Sequence, residues 1–246
     1  MKKYKKSFRT KKKRKPLNIK MILIVLTILI ISSGLIYLLF FSSFFKVKRV
    51  EVLGTEKIAD TEIKSIISEK TNKSIFLADL SNIKDYLIKQ YPRIGRISIR
   101  RKLPDTILTE IEERKPAAVL VKDGYFILDK EGIAFEKTPN NSLGLPEITK
   151  QDCFDVELGK KAIDRIEDIL KITKRIKTKQ VIVVSEKRLD IKTIEGFDAY
   201  FSLEKDINWQ IEQLEILLQE KIPLNERDDI EYIDLRFDKI YIKRNE

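Results

Sequence analysis

Ser81-Asn82-Ile83-Lys84 sets a hydroxyl and an amine one helical turn apart, the S-x-x-K spacing of acyl-enzyme nucleophiles. The S-D-N and K-T-G runs that complete such a site are absent from the sequence. Ser81 is better explained as a first-turn residue of a helix, with Asp79 as its N-cap. The 246 residues include no His, which removes Ser-His-Asp and Cys-His catalysis and nearly all zinc sites. Cys153 is the only Cys, so no intrachain disulfide can form. There is neither a G-x-G-x-x-G nor a Walker A loop. The 38 acids alone do not exclude a two-carboxylate glycosidase. They mostly alternate with Lys on helices and strand faces, as solvated charge does. The sequence therefore carries no complete catalytic motif and no cofactor- or metal-binding motif, and a two-carboxylate site stays open on the residues alone.

Whatever the chain does instead starts from Met21–Phe41, 21 residues without a charge. As a helix this run is roughly 31 Å long, about the hydrocarbon thickness of a bilayer. It is longer than the apolar core of a cleaved signal peptide and lacks a small-residue cleavage site. A transmembrane helix is expected over 21–43. Residues 1–20 carry eleven Lys or Arg and no acid, while the rest of the chain carries 38 charges of each sign. The net charge of +11 thus belongs to the tail. Basic residues on one flank of a span stay in the cytoplasm, so the amino terminus is expected inside and the remaining chain outside. The same tail can hold anionic lipid headgroups. Since topology accounts for the charge, no nucleic-acid partner is expected.

Beyond the span the pattern alternates between periods of two and 3.6. In VKRVEVLG, Val50 and Val52 face one way and Arg49 and Glu51 the other, and Gly54 ends the strand. Ile63, Ile66 and Ile67 give a short amphipathic helix with Asp60 as N-cap, and Leu80, Ile83, Leu87 and Tyr91 give a second, stopped before Pro92. Ile97 and Ile99 alternate with Ser98 and Arg100. Leu103-Pro104-Asp105 turns the chain, and Ile107, Thr109 and Ile111 return it. This βααββ order packs two helices on one face of a three-stranded sheet. After Pro116 short strands follow at AAVLV, YFIL and IAFE, separated by Gly-containing turns. The reading continues with a polar loop over 138–150, a helix over 160–176 on Ile163, Ile166, Leu170 and Thr173, and strands at VIVVS, RLDIKTI and DAYFS. A helix over 205–221, with Trp209 off its main stripe, precedes two last strands, IEYIDLRF and KIYIKR. The fold class is α+β, with domains expected at 44–115 and 116–246.

This order of elements resembles the bacterial cell-division protein FtsQ, called DivIB in Gram-positive bacteria. The residues that carry the likeness are FFKVKRVEVLG after the span, RISIRRKLPDTILTEIEERKPAAVL, DGYFILDKEGIAF and EYIDLRFDKIYIK. The unit 44–115 is similar to a POTRA domain and 116–246 to the FtsQ/DivIB β domain. The resemblance implies a non-enzymatic divisome scaffold at the septum, with no cofactor and no small-molecule substrate, that binds the bitopic proteins FtsB (DivIC) and FtsL and links early division proteins to septal peptidoglycan synthesis. It places Arg236 and Phe237, in the penultimate strand, and Ile240, Tyr241 and Ile242, in the last, where the family binds FtsB. Arg96, Arg100 and Arg101 fall in the unit that the family uses for recruitment. The competing readings are core packing for Leu235 and Phe237, a solvated face for the three arginines, and, for the whole chain, a membrane-anchored cell-wall enzyme or an envelope transport adaptor.

Overall fold

The computed structural model describes residues 19–71, 74–152 and 155–245. Nearly all of the basic tail, and Cys153, lie outside the described residues. Helix α1 (Ile19–Phe41) has 23 residues, none of them buried, and its mean hydropathy reaches 2.8. Among the described residues it is the one helix long and apolar enough to cross a bilayer. Thr27 returns its hydroxyl proton to Leu23 O at 2.9 Å, which satisfies that group without water. The helix ends at Phe41, where Ser42 accepts a hydrogen bond from Phe44 N and opens a tight turn over Ser43–Phe45.

Five elements follow as expected: β1 (Arg49–Leu53), α2 (Asp60–Lys70), α3 (Leu80–Gln90), β2 (Ile94–Lys102) and β3 (Thr106–Glu113). The sheet order is β1-β3-β2, with β1 parallel and β2 antiparallel to β3. A parallel neighbour needs a crossover, and α2, α3 and β2 supply it. Val52, Ile107 and Ile111 meet Ile63, Ile67, Ile83 and Leu87 in one buried cluster. Asp79 caps α3 by accepting from Asn82 N at 3.1 Å, which makes Ser81 a first-turn residue. Asp60 is not the cap of α2. The chain enters the helix through Ala59, and the Asp60 carboxylate is taken by the Thr55 hydroxyl.

The second unit is built on β4 (Ala118–Val121), β5 (Tyr125–Leu128), β6 (Ala134–Thr138), β7 (Glu147–Lys150), β8 (Thr178–Ser185), β9 (Arg188–Thr193), β10 (Asp198–Ser202), β11 (Ile230–Asp234) and β12 (Tyr241–Arg244). Among the described residues these nine strands form one sheet in the order β12-β11-β10-β9-β8-β7-β4-β5-β6. Helices α4 (Ile166–Arg175) and α5 (Ile207–Ile216) pack on its apolar face. In β9 and β10, Leu189, Ile191, Ala199 and Phe201 turn to the helices, while Asp190 and Tyr200 stay on the open face.

Two expectations fail here. The loop over 138–150 contains β7, which lies parallel between β4 and β8 and buries Ile148 completely. A four-residue strand with one core side chain has too little alternation to announce itself. The helix expected from 160 starts only at Ile166. Residues 160–163 instead bond to the β5–β6 turn, with Ala162 N donating to Gly132 O at 2.8 Å and Ala134 N donating to Lys160 O at 3.1 Å. Arg165 then turns the chain at φ 54°, and its guanidinium donates to Asp168 and to Leu203 O. The buried stripe of α4 is accordingly Ile166, Ile169 and Ile172 rather than the one through Leu170 and Thr173.

Only the four residues 114–117 separate β3 from β4, which begins the second unit, and ion pairs clamp the joint. Arg114 donates to Pro92 O at 3.2 Å and pairs with the buried Asp129. Arg93 pairs with Glu136 of β6 and lies 5.1 Å over the Phe135 ring. The β6 edge of the large sheet therefore abuts the first unit, and the β12 edge lies at the opposite end.

Candidate partner-binding edge

Among the described residues strand β12 hydrogen-bonds to β11 on one side only, in the antiparallel register Asp234↔Tyr241, Ile233↔Ile242 and Tyr232↔Lys243. All four of its residues are exposed. Ile233 of β11 and Leu235 just after it are fully buried and anchor this segment to the core, while β12 lies exposed at the rim. An edge of this kind presents unpaired backbone groups at the spacing of another strand.

Register decides which way each side chain faces. Directly opposed residues of an antiparallel pair share a face. Ile242, opposite Ile233, lies on the rim of the core face, and Tyr241, opposite Asp234, lies on the open face. The expected division into penultimate and last strand needs a correction at the turn. Strand β11 stops at Asp234 and β12 begins at Tyr241, so Arg236, Phe237 and Ile240 occupy the connection between them. The reason is the Asp234 carboxylate. It accepts from Arg236 N at 3.1 Å and from the guanidinium at 2.8 and 2.6 Å, which curls the chain out of the ladder.

The five candidates do not have equal access. Phe237 and Tyr241 are about half exposed and meet edge to face at 5.8 Å, with Ile242 exposed beside them. Ile240 is partly buried against the core. Arg236 is held in its ion pair and lies 5.5 Å over both the Tyr200 and the Phe237 rings. Burial pushes the Asp234 carboxyl up, but the Arg236 bonds outweigh it and hold it below the usual carboxylate range. The same pairing raises Arg236. Arg188 adds a second cation 4.7 Å over Tyr200, which stacks on Tyr232 at 5.0 Å. Arg188, Tyr200, Arg236, Phe237 and Tyr241 thus form a continuous cation and ring band leading to the free edge. Tyr200 and Tyr232 were not singled out from the sequence. Their signal was an aromatic ring at the polar-facing position of a strand, repeated on its neighbour.

The three arginines of β2 lie in the first unit, apart from this band, and separate among themselves. Arg96 and Arg100 stand on the outer face of the small sheet, paired with Glu112 (3.9 Å) and Glu110. Arg101 points elsewhere. Its Nε donates to Ile75 O and its terminal nitrogen to Ala78 O, both at 2.7 Å. The cleft at the joint between the units, of about 390 Å³, is the place where paired carboxylates would serve hydrolysis. Its Asp129 already accepts from Arg114, Glu131 N and Ile133 N, and Glu131 lies 3.8 Å from the same arginine. Among the described residues no group of three or more acids or Cys is gathered for a metal ion.

The βααββ unit and the mixed sheet behind it each have a counterpart. The family model for the POTRA domain, FtsQ-type, matches residues 45–114, and that for the FtsQ/DivIB C-terminal region of cell-division proteins matches residues 117–236. The chain belongs to the FtsQ/DivIB cell-division family. Among relatives of the family, the cell division protein FtsQ of Streptomyces bingchenggensis is 30% identical over 118 residues, 48% of this chain and 44% of that protein. FtsQ of Syntrophotalea carbinolica is 29% identical over 161 residues, 63% of this chain and 57% of its own. DivIB of Clostridium acetobutylicum is 36% identical over 101 residues, 40% of each. The chain spans about half the length of the curated relatives it matches. The C-terminal match stops at residue 236, so Phe237, Ile240, Tyr241 and Ile242 lie beyond it.

Proposed function

We propose that this FtsQ/DivIB chain is a single-pass divisome scaffold, not an enzyme, that binds FtsB/DivIC-like and FtsL-like bitopic proteins through the β12 edge. The observation that carries the proposal is the exposed, singly paired strand β12 flanked by Phe237 and Tyr241. A partner strand added there would take affinity from main-chain bonds and specificity from alternate side chains: Ile242 toward the core rim, Tyr241 and Lys243 toward the open face. The ring and cation band behind the edge suits an amphipathic partner with acidic and aromatic residues. The scaffold sits with its amino terminus in the cytoplasm, its polybasic tail near anionic headgroups and its folded region outside, concentrated at the septum. Ion-paired Arg96 and Arg100 remain secondary recruitment candidates.

Binding is tested by titrating an FtsB/DivIC-like partner against the folded region. The obvious variant, Arg236→Glu, would set a second carboxylate against the buried Asp234 and confound folding with binding. Tyr241→Asp and Ile242→Asp act on exposed side chains. Each is expected to weaken binding at least tenfold, about 1.4 kcal/mol, while leaving the melting temperature unchanged. Unchanged affinity in both would remove β12 from the interface. A fluorescent fusion to the tail should form a band at mid-cell, and a uniform membrane signal would refute the divisome placement.

A further inference from the structure

Ser74–Ala78, which leads into α3, is tied to the end of α1 as well as to its own domain. Ser74 Oγ donates to Leu39 O at 3.1 Å, Ile75 N donates to Phe45 O at 2.8 Å, and Ser74 bridges Lys46 in an antiparallel pair. Arg101 grips the same segment from the domain side through the Ile75 and Ala78 carbonyls. Phe76 is thereby set between Phe40, edge to face at 6.3 Å, and Phe45 at 5.3 Å.

Depth follows from these bonds. A helix of 23 residues is roughly 34 Å long, slightly more than the ~30 Å hydrocarbon core, so its last turn stands where acyl chains give way to headgroups. Leu39 belongs to that turn, and Phe76 and Leu77 are held level with it although some 35 residues of chain separate them. Aromatic and apolar side chains collect at this level of a bilayer. Phe41, Phe44 and Leu77 are 73%, 58% and 51% exposed, large apolar surfaces without cover among the described residues. A groove lined by Phe40, Phe41, Ser42, Lys46 and Leu77 opens beside them. The exposed cations of Lys46 and Lys48 suit anionic headgroups just above it.

We infer that Ser74–Leu77 is a second membrane contact, in which Phe76 and Leu77 enter the interfacial layer of the bilayer together with Phe44 and seat the first domain on the lipid surface. Arg101 is the positioning residue that holds this wedge down. The inference rests on α1 spanning a bilayer, as the proposed function does, but not on any protein partner.

The test uses the full chain in vesicles of phosphatidylcholine and phosphatidylglycerol whose acyl chains carry bromine near the headgroup. With Trp209→Phe as background, Leu77→Trp should emit to the blue of the native Trp209 and be quenched several-fold more strongly. Ile194→Trp, at a 60% exposed apolar site of the second unit, controls for the affinity of Trp itself for the interface. Adding Arg101→Gln should reduce the quenching at position 77, and no reduction would overturn the role of Arg101. Quenching at position 77 no stronger than at Trp209 or position 194 would overturn the wedge. With water-like emission that result would put the segment in solvent, and with blue-shifted emission it would put it under protein. Loss of the chain from the vesicles in an alkaline wash would refute the span instead, which keeps the two failures apart.

Discussion

Glu113, at the end of β3, is expected to hold the first domain closed through a single oxygen. Its Oε1 accepts from three successive backbone groups, Glu56 N at 2.7 Å, Lys57 N at 2.9 Å and Ile58 N at 3.0 Å. The side chain is 9% exposed, on the core-facing alternation of Thr109 and Ile111. Burial pushes its pKa up, but the three backbone bonds, helped by Arg93, outweigh that and hold it below the usual glutamate range. A bond to a charged acceptor contributes about 1.5–3 kcal/mol. Three on one oxygen share its charge, and the freed N–H groups of an exposed loop recover water. Glu113→Ala should therefore cost about 3 kcal/mol and Glu113→Gln, which keeps an acceptor without the charge, about 1.5 kcal/mol. For a folded region of some 200 residues the first corresponds to a fall in Tm of roughly 6–12 °C. Because the folded pKa is depressed, the stabilisation is complete above the ordinary glutamate range and disappears as pH falls through the folded value. Urea unfolding of both proteins from about pH 7 down to about pH 3 checks this. The gap between native and Glu113→Gln should close with acid. A gap that stays constant over the range, or none at neutral pH, would refute the reasoning.

The remaining predictions concern the backbone and the joint. Gly54 has φ +85°, and a Cβ there would lie 2.1 Å from Ile111 O, so Gly54→Ala should cost at least about 2 kcal/mol in the same unfolding assay. Arg114→Ala leaves Asp129, 5% exposed, without its cation. It should destabilise by about 3 kcal/mol and split calorimetric unfolding into separate transitions for the two units.

The first domain was legible because each of its elements carries a full period: Ile63 and Ile67 a turn apart, Ile107, Thr109 and Ile111 alternating against Ile97. The same logic missed β7 and the start of α4, where the outcome is set by partners far along the chain: Val181 for Ile148, Gly132 for Ala162. At the candidate edge, alternation put Leu235 and Phe237 on one face. The structure buries Leu235 and leaves Phe237 half exposed, because the Asp234–Arg236 bonds end the strand first. A local ion pair leaves no periodic trace. In the sequence the ERKP run, residues 113–116, carries a family likeness and no visible role. Its geometry gives two of the three charges a task, Glu113 closing the first domain and Arg114 clamping it to the second.

The two ends of the nine-stranded sheet have different neighbours, and this fixes a mechanical relation. Eight inter-strand spacings of about 4.8 Å put the free β12 edge roughly 38 Å from the β6 edge that Arg93 and Arg114 clamp. The four residues 114–117 between β3 and β4 leave little slack between the units. A load applied at β12 would therefore act on a long arm, and reach α1 as a turning moment about the joint rather than as the stretching of a string.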